Sequence, residues 1–194
     1  MVLERTLLFF GSMISVSCLT FAVCSQFWAE FYFDGKRYHT GLWRVCYEKA
    51  DECDSFDTWL GEGEKVPSWL SEIRILICLA SILAGIALLT SLFGILYLKI
   101  KCVYTSVINF ISCALLVGVC LIFYESKYFH NDRQLLRVKH LWAFYLTIST
   151  AGWTFLMAVF GIMSDYCCCC CKKDRTLEVN YGDIHSNLYD PESV

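Results

Sequence analysis

Cys46 and Cys53 are the residues whose type and spacing point most directly to chemistry. They are the only two of the chain's 13 cysteines that lie outside its long apolar runs and its C-terminal tail. We expect them to form a disulfide, which for a loop of this size contributes roughly 2–3 kcal/mol and requires an oxidising compartment. Two free thiols are the alternative. A metal site has less support, because no cluster of Cys or His completes a ligand set.

An acidic segment follows Cys46. It contains Glu48, Asp51, Glu52, Asp54 and Asp57. One interpretation is a solvated loop surface, and the other is a negative field that attracts cations or a basic partner. We expect no defined calcium site, because the segment has no calcium-loop motif.

The remaining polar residues form no catalytic pattern. The four histidines are scattered along the chain, at His39, His130, His140 and His185. No nucleophile–base pair, phosphate-binding loop or spaced set of metal ligands accompanies them. The sequence therefore predicts a non-enzymatic protein with no cofactor and no nucleic-acid partner.

A run of adjacent cysteines precedes the C-terminal tail. It consists of Cys167, Cys168, Cys169, Cys170 and Cys171. Adjacent residues cannot all turn toward one metal ion, and the two lysines that follow favour contact with anionic lipid. We expect reversible S-palmitoylation of at least some of these cysteines.

The tail is polar and without periodicity, so we expect it to be disordered. It ends in Glu192, Ser193 and Val194. A free C-terminal carboxylate after an apolar side chain can add as a strand to a PDZ domain, and Glu192 would make this a minor-class ligand. Tyr181 and Ile184 fit a short tyrosine sorting pattern that is also common by chance.

Four long apolar segments account for most of the chain. The hydrophobic fraction is 57% and the charged fraction 18%, against about 45–50% and 25% in soluble domains. No Asp, Glu, Lys or Arg occurs in residues 6–27, 75–98, 102–124 and 141–164. Each segment exceeds the roughly 18–20 residues that cross a bilayer core as a helix. We therefore expect four transmembrane helices, with the lipid bilayer as a partner and the first span retained as an anchor.

Basic residues suggest the orientation. Lys99 and Lys101 lie between the second and third spans, and Lys172 and Lys173 follow the fourth. Since lysine and arginine favour the cytoplasmic side, both termini are expected there, with residues 28–74 and 125–140 outside. The loop 125–140 is itself basic, which weakens the rule, but the disulfide favours the same orientation.

The first loop has the pattern of a small sheet. Aromatic and polar residues alternate on both sides of Asp34-Gly35, a dipeptide typical of a type I′ hairpin. A third strand is expected within Leu42–Tyr47. A sheet this small is marginal alone, so the disulfide would serve as its cross-link.

Three further features lie near the membrane boundaries or within a span. Pro67 suits the first turn of the second helix, and Arg74 can reach outward or bond loop carbonyls. Tyr128-Phe129 in the second loop is either a contact tip or a membrane anchor. Asn109, the most polar residue deep in a span, is expected to bond to a neighbouring helix.

The combined pattern of Trp28, Gly41-Leu42-Trp43, Cys46, Cys53 and Arg74 between and beside the first two spans resembles the claudin superfamily. That superfamily includes peripheral myelin and epithelial membrane proteins, the lens fibre membrane intrinsic protein and calcium-channel gamma subunits. The Gly-Leu-Trp-Arg-Val-Cys run is more similar to the epithelial and lens branch. The resemblance implies an all-α membrane fold, a left-handed four-helix bundle carrying a small extracellular antiparallel sheet. It also implies that Trp43 wedges the sheet against the membrane surface and that Arg74 packs near it.

These features divide the chain into a membrane domain, residues 1–166, and a cytoplasmic tail, residues 167–194. We expect a plasma-membrane protein that organises cell contacts or membrane domains through its sheet. Cell–cell junctions are one location that this function would imply. It would assemble as a homo- or hetero-oligomer with membrane proteins and could bind a PDZ scaffold. An auxiliary subunit of a channel or receptor is the first alternative. A paracellular cation-selective pore or barrier that uses the acidic segment is the second.

Overall fold

Four long helices make up most of the part of the chain that the structure describes. The structure, a computed structural model, describes residues 2–33, 35–48, 52–56, 58, 67–97, 102–125, 128–131, 134–137 and 139–188. The helices are α1 (Val2–Cys24), α2 (Ser68–Tyr97), α3 (Cys102–Glu125) and α4 (Trp142–Leu188). Each is long and apolar enough to cross a membrane, and in α4 the apolar part is Trp142–Tyr166. The predicted four-helix membrane fold is confirmed.

The helix ends differ slightly from the charge-free segments. α1 ends at Cys24, before the predicted limit, because the chain turns there into the sheet. α2 begins at Ser68, before the charge-free segment but next to Pro67, where the sequence predicts its first turn. The carbonyl of Pro67 accepts hydrogen bonds from the backbone N–H groups of Leu70 and Ser71. Polar residues can occupy the first turns of a helix at the membrane boundary. The charge-free segment therefore marks the part of α2 inside the hydrocarbon core, and not the full length of the helix.

Small and hydroxyl side chains line the contacts between helices. Ala80, Ala84 and Ala87 are buried along α2, and Gly161 of α4 lies against Ser106 of α3. Small residues let helix backbones approach closely in lipid, where burial of apolar surface does not by itself favour association. Many of the larger apolar side chains of the same helices, such as Ile82 and Leu89, are exposed on the outside of the bundle, where lipid would surround them.

A five-stranded antiparallel sheet stands at one end of the bundle. It contains β1 (Ala29–Phe33), β2 (Lys36–Thr40), β3 (Arg44–Tyr47), β4 (Glu52–Ser55) and β7 (Lys139–His140), in the order β4-β3-β2-β1-β7. A separate hairpin joins β5 (Tyr128–Asn131) and β6 (Gln134–Arg137). The sheet therefore combines strands from both loops, which the sequence did not predict.

The hairpin between β1 and β2 is present where the sequence predicts it. Phe33 pairs with Lys36, and Gly35 has a φ of 69°, a conformation that glycine adopts without steric cost. Asp34, on which the type I′ assignment also depends, lies outside the described residues.

The backbone of α4 continues as helix past the membrane to Leu188. It thus includes the cysteine run and most of the tail, where the sequence predicts disorder. A helix already nucleated in the membrane extends at little cost, because each further residue adds one hydrogen bond for one residue fixed.

Candidate functional site

The disulfide lies inside the sheet. Cys46 and Cys53 face each other across the β3–β4 pair, and their sulfurs are 2.04 Å apart. The predicted bond is confirmed. It joins the last strand of the sheet to its neighbour, so β4 cannot separate from β3 while the bond is intact.

The Gly-Leu-Trp segment forms the turn between β2 and β3. A Cβ at Gly41 would collide with the backbone of Ser25 and Gln26, so only glycine fits there without a backbone shift. The Gly41 N–H donates to the carbonyl of Arg44. Leu42 is fully buried in the core that the sheet shares with the helices.

Two tryptophans attach the sheet to the end of α1. The indole N–H of Trp28 donates to the carbonyl of Ala22 at 2.7 Å, and that of Trp43 donates to the carbonyl of Val23 at 3.1 Å. The last carbonyls of a helix have no partner within the helix. The two side chains satisfy carbonyls in the last turn of α1, and Trp28 is completely buried while Trp43 remains partly exposed.

Arg74 attaches the same turn to α2. Its Nε–H donates to the carbonyl of Leu42 at 2.7 Å, and its guanidinium lies 5.1 Å from the ring centre of Trp43 and 5.4 Å from that of Phe56. Stacking on aromatic faces and a charge-assisted hydrogen bond are the contacts for which a planar guanidinium is suited. The structure thus brings together all of the motif residues that the sequence singles out.

An ion-pair cluster joins β1, β2 and the residue that follows β3. Arg37 donates from Nε and Nη2 to both carboxylate oxygens of the buried Glu30, at 2.7 and 2.8 Å, and from Nη1 to Glu48 at 3.1 Å. The hydrogen bonds from Arg37 hold the pKa of Glu30 below its ordinary value, against the opposing effect of burial. The bond to Glu30 in turn raises the pKa of Arg37. This pair was not predicted from the sequence, although a β1–β2 hairpin places Arg37 diagonally opposite Glu30 on the same face of the sheet.

The acidic segment is only partly a free negative surface. Glu48 shares Arg37 with Glu30, whereas Glu52 and Asp54 are exposed on β4. Asp51 and Asp57 lie outside the described residues. In the described part of the segment, Glu52 and Asp54 are therefore the two exposed carboxylates that are not paired with Arg37, and Glu48 is paired with it.

The second loop fastens the opposite edge of the sheet. β7 pairs with β1, and the N–H groups of Leu141 and Ala143 donate to the carbonyls of Trp28 and Phe27. Below this edge the rings of Phe123 and Phe144 pack at 5.3 Å, and Phe123 lies 5.4 Å from Trp28. The backbone of Tyr128 and Phe129 forms part of β5. Whether they are a contact tip or a membrane anchor depends on their side chains, which are outside the described part of the structure.

Asn109 lies in the bundle interior with 1% of its surface exposed. Its side-chain amide nitrogen has no hydrogen-bond partner in the described part of the chain, and neither has the hydroxyl of Ser12 on α1. The sequence predicts a bond from Asn109 to a neighbouring helix, and in the described part of the chain the amide nitrogen does not make it.

The remaining predicted sites lie at the C-terminus. Cys167 to Cys171 have helical backbone in α4, and their side chains are not among those described. Glu192, Ser193 and Val194 lie outside the described residues. Where side chains are described, no three His, Cys, Asp or Glu residues are grouped to hold a metal ion.

Comparison with known proteins agrees with this geometry. The model of the PMP-22/EMP/MP20/Claudin family matches residues 1–164. A search of curated protein sequences finds no match to the chain. The chain belongs to the PMP-22/EMP/MP20/Claudin family, and it is a multi-pass membrane protein of the claudin type.

Proposed function

We propose that this member of the PMP-22/EMP/MP20/Claudin family organises cell–cell contacts or membrane domains at the plasma membrane, by non-enzymatic contacts of its sheet. The observation that carries the proposal is the attachment of the sheet. Trp28 and Trp43 donate hydrogen bonds to carbonyls of α1, and Arg74 of α2 donates one to the turn between β2 and β3. β7 leads directly into α4. A surface held at so many points loses little conformational entropy when it meets a partner, which favours recognition.

The proposal includes an orientation. The disulfide between Cys46 and Cys53 supports an extracellular sheet, because disulfides persist in oxidising compartments. With four spans, both termini then lie in the cytoplasm. There, acylation of Cys167 to Cys171 and a PDZ contact through Glu192, Ser193 and Val194 would concentrate the protein in particular membrane regions.

A co-culture of cells that carry differently tagged copies tests this proposal. We expect enrichment at borders where both cells express the protein, and no enrichment at borders with non-expressing cells. Asp54→Lys, on the exposed strand β4, should reduce the enrichment. Glu72→Lys, a charge reversal at a residue that is also exposed, on α2, is the matched control. Equal localisation at both kinds of border contradicts a contact between copies on adjacent cells.

The auxiliary-subunit function is the second candidate. The observation that favours it is the row of exposed apolar side chains on α2, including Ile75, Ile82 and Leu89, which could pack against the helices of a channel or receptor. Purification in mild detergent distinguishes the two functions. A stoichiometric channel or receptor subunit would support this candidate, and recovery of the chain alone or with further copies of itself would support the first.

The cation-filter proposal has less support, because Glu48 is already paired with Arg37. Neutralising the remaining acidic residues Asp51, Glu52, Asp54 and Asp57 would reduce the cation preference of an epithelial monolayer if the segment acts as a filter. An unchanged preference would contradict it.

A further inference from the structure

The C-terminal end of α4 extends well beyond the part that can cross a membrane. The apolar part of α4 ends at Tyr166, and the helical backbone continues to Leu188. At a rise of about 1.5 Å per residue, this extension is about 33 Å long. A helix in water gains most of its stability by packing an apolar face against another element.

The sequence of the extension contains one apolar stripe. Leu177, Tyr181, Ile184 and Leu188 follow one another at intervals of four, three and four residues. This is the spacing of the d and a positions in successive heptads, the positions through which the helices of a coiled coil pack together. Asp174 occupies the a position before them, so the stripe begins at Leu177. We call these four residues the tail stripe.

The tail stripe continues an exposed face of α4. Its first three residues each come 18 positions, or five full helical turns, after a residue in the membrane part of the same helix. Those earlier residues are Val159, Met163 and Tyr166, whose exposed fractions are 38%, 64% and 71%. In the described part of the chain, the protein's own helices therefore leave this face of α4 uncovered.

Charged residues beside the tail stripe favour one kind of partner. In the same heptad assignment, Lys173 occupies a g position and Glu178 the next e position. In a parallel coiled coil, a g residue of one helix lies opposite the next e residue of the other. Two copies of this chain in one membrane have the same orientation, so their α4 helices run parallel. Each Lys173 would then lie opposite Glu178 of the second copy.

We propose that the extension of α4 pairs with the same segment of a second copy in the same membrane, as a short parallel coiled coil through the tail stripe. Anchoring in one bilayer raises the effective concentration of the two segments, which offsets the small size of the contact. A partner helix with charges of only one sign would attract one of Lys173 and Glu178 and repel the other. The inference goes beyond the proposed contact function, because it uses no residue of the sheet and joins copies within one cell.

Förster energy transfer between purified full chains in lipid vesicles tests the apolar part of the proposal. Half of the chains carry a donor fluorophore at the N-terminus and half an acceptor. Leu177→Glu combined with Ile184→Glu should weaken the association in the membrane about ten-fold, because it places charges within the tail stripe. Val179→Glu combined with Ser186→Glu is the matched control, since it adds the same charges on the opposite side of the same helix. Formation of the disulfide in each variant verifies that the sheet has folded.

A charge exchange tests the parallel register. Lys173→Glu makes both positions negative and Glu178→Lys makes both positive, so each variant should associate with itself less than the unmodified chain does. A donor-labelled Lys173→Glu chain and an acceptor-labelled Glu178→Lys chain should associate again, because every g–e contact between them joins opposite charges. Equal transfer in these three pairings would overturn the proposal. So would equal losses in the tail-stripe variant and its control, or transfer by the unmodified chain no greater than random proximity gives.

Discussion

The Nε–H of Arg74 donates to the carbonyl of Leu42, 32 positions earlier in the chain, at 2.7 Å. This bond connects the second transmembrane helix to the turn between β2 and β3. The same guanidinium stacks on Trp43, whose indole reaches α1. One arginine therefore links two helices and the sheet at a single point.

Replacing this arginine is expected to destabilise the protein. Arg74→Ala removes a charge-assisted hydrogen bond and two stacking contacts, which should lower the free energy of unfolding by about 2–3 kcal/mol. Thermal unfolding in detergent micelles measures the change. Arg44→Ala is the control, because Arg44 is exposed on β3 and should change the stability by less than about 0.5 kcal/mol. Equal effects of the two substitutions would show that the Arg74 contacts contribute nothing specific.

The turn glycine has a steric requirement that a second pair of variants can test. Gly41→Ala places a Cβ against the backbone of Ser25 and Gln26 and should cost about 1–3 kcal/mol. Gly85→Ala, in α2, places a Cβ that meets no atom within 4 Å apart from the local backbone of its own helix, and it should be neutral or slightly stabilising. The comparison is made by thermal unfolding, and a tolerated alanine at Gly41 would contradict the described packing.

Loss of the disulfide is expected to affect the sheet before the helices. Cys46→Ser combined with Cys53→Ser should reduce stability by roughly 2–3 kcal/mol. Hydrogen exchange of the β3 and β4 amides should rise, whereas amides in the middle of α3 should stay protected. Cys24→Ser, at an exposed free cysteine, serves as the control. Unchanged exchange in the double variant would mean that the strands do not depend on the bond.

The Glu30–Arg37 pair predicts a dependence on acid. The folded pKa of Glu30 is lower than its ordinary value of 4.5, so folding favours the charged form. This stabilisation is fully present above pH 4.5 and decreases as the pH falls through the lower, folded pKa. Glu30→Gln should therefore be less stable than the unmodified protein at neutral pH, and the difference should shrink in acid. A difference that is constant across that range would exclude Glu30 as the titrating group.

The parts of the fold that depend on local sequence could be predicted. The charge-free runs predict the four spans. Asp34-Gly35 predicts the hairpin between β1 and β2, and the isolated Cys46 and Cys53 predict a disulfide in the same loop. β7 could not be found this way, because Lys139 and His140 become a strand only through pairing with Ala29 and Glu30, far away in the chain.

The same limit applies to the site. The types of Trp28, Trp43 and Arg74 indicate residues suited to a membrane boundary, but their bonds to individual carbonyls depend on how the helices pack. The closeness of Trp43 to Ile75 and Leu79 of α2 could not be predicted for the same reason, because the sequence shows the two α2 residues only as ordinary span residues.

The strand β7 also has a consequence for biosynthesis. Chains emerge from the ribosome with the N-terminal part first, so β1 to β4 are made well before Lys139 and His140. Until then the backbone N–H and C=O groups on the outer edge of β1 lack the partners that β7 provides. Unpaired groups at a sheet edge can pair with other chains. β7 directly precedes α4, so Ala29 and Glu30 gain these partners only as the chain enters its last transmembrane helix. A chain that ends before Lys139 would leave this part of the β1 edge open.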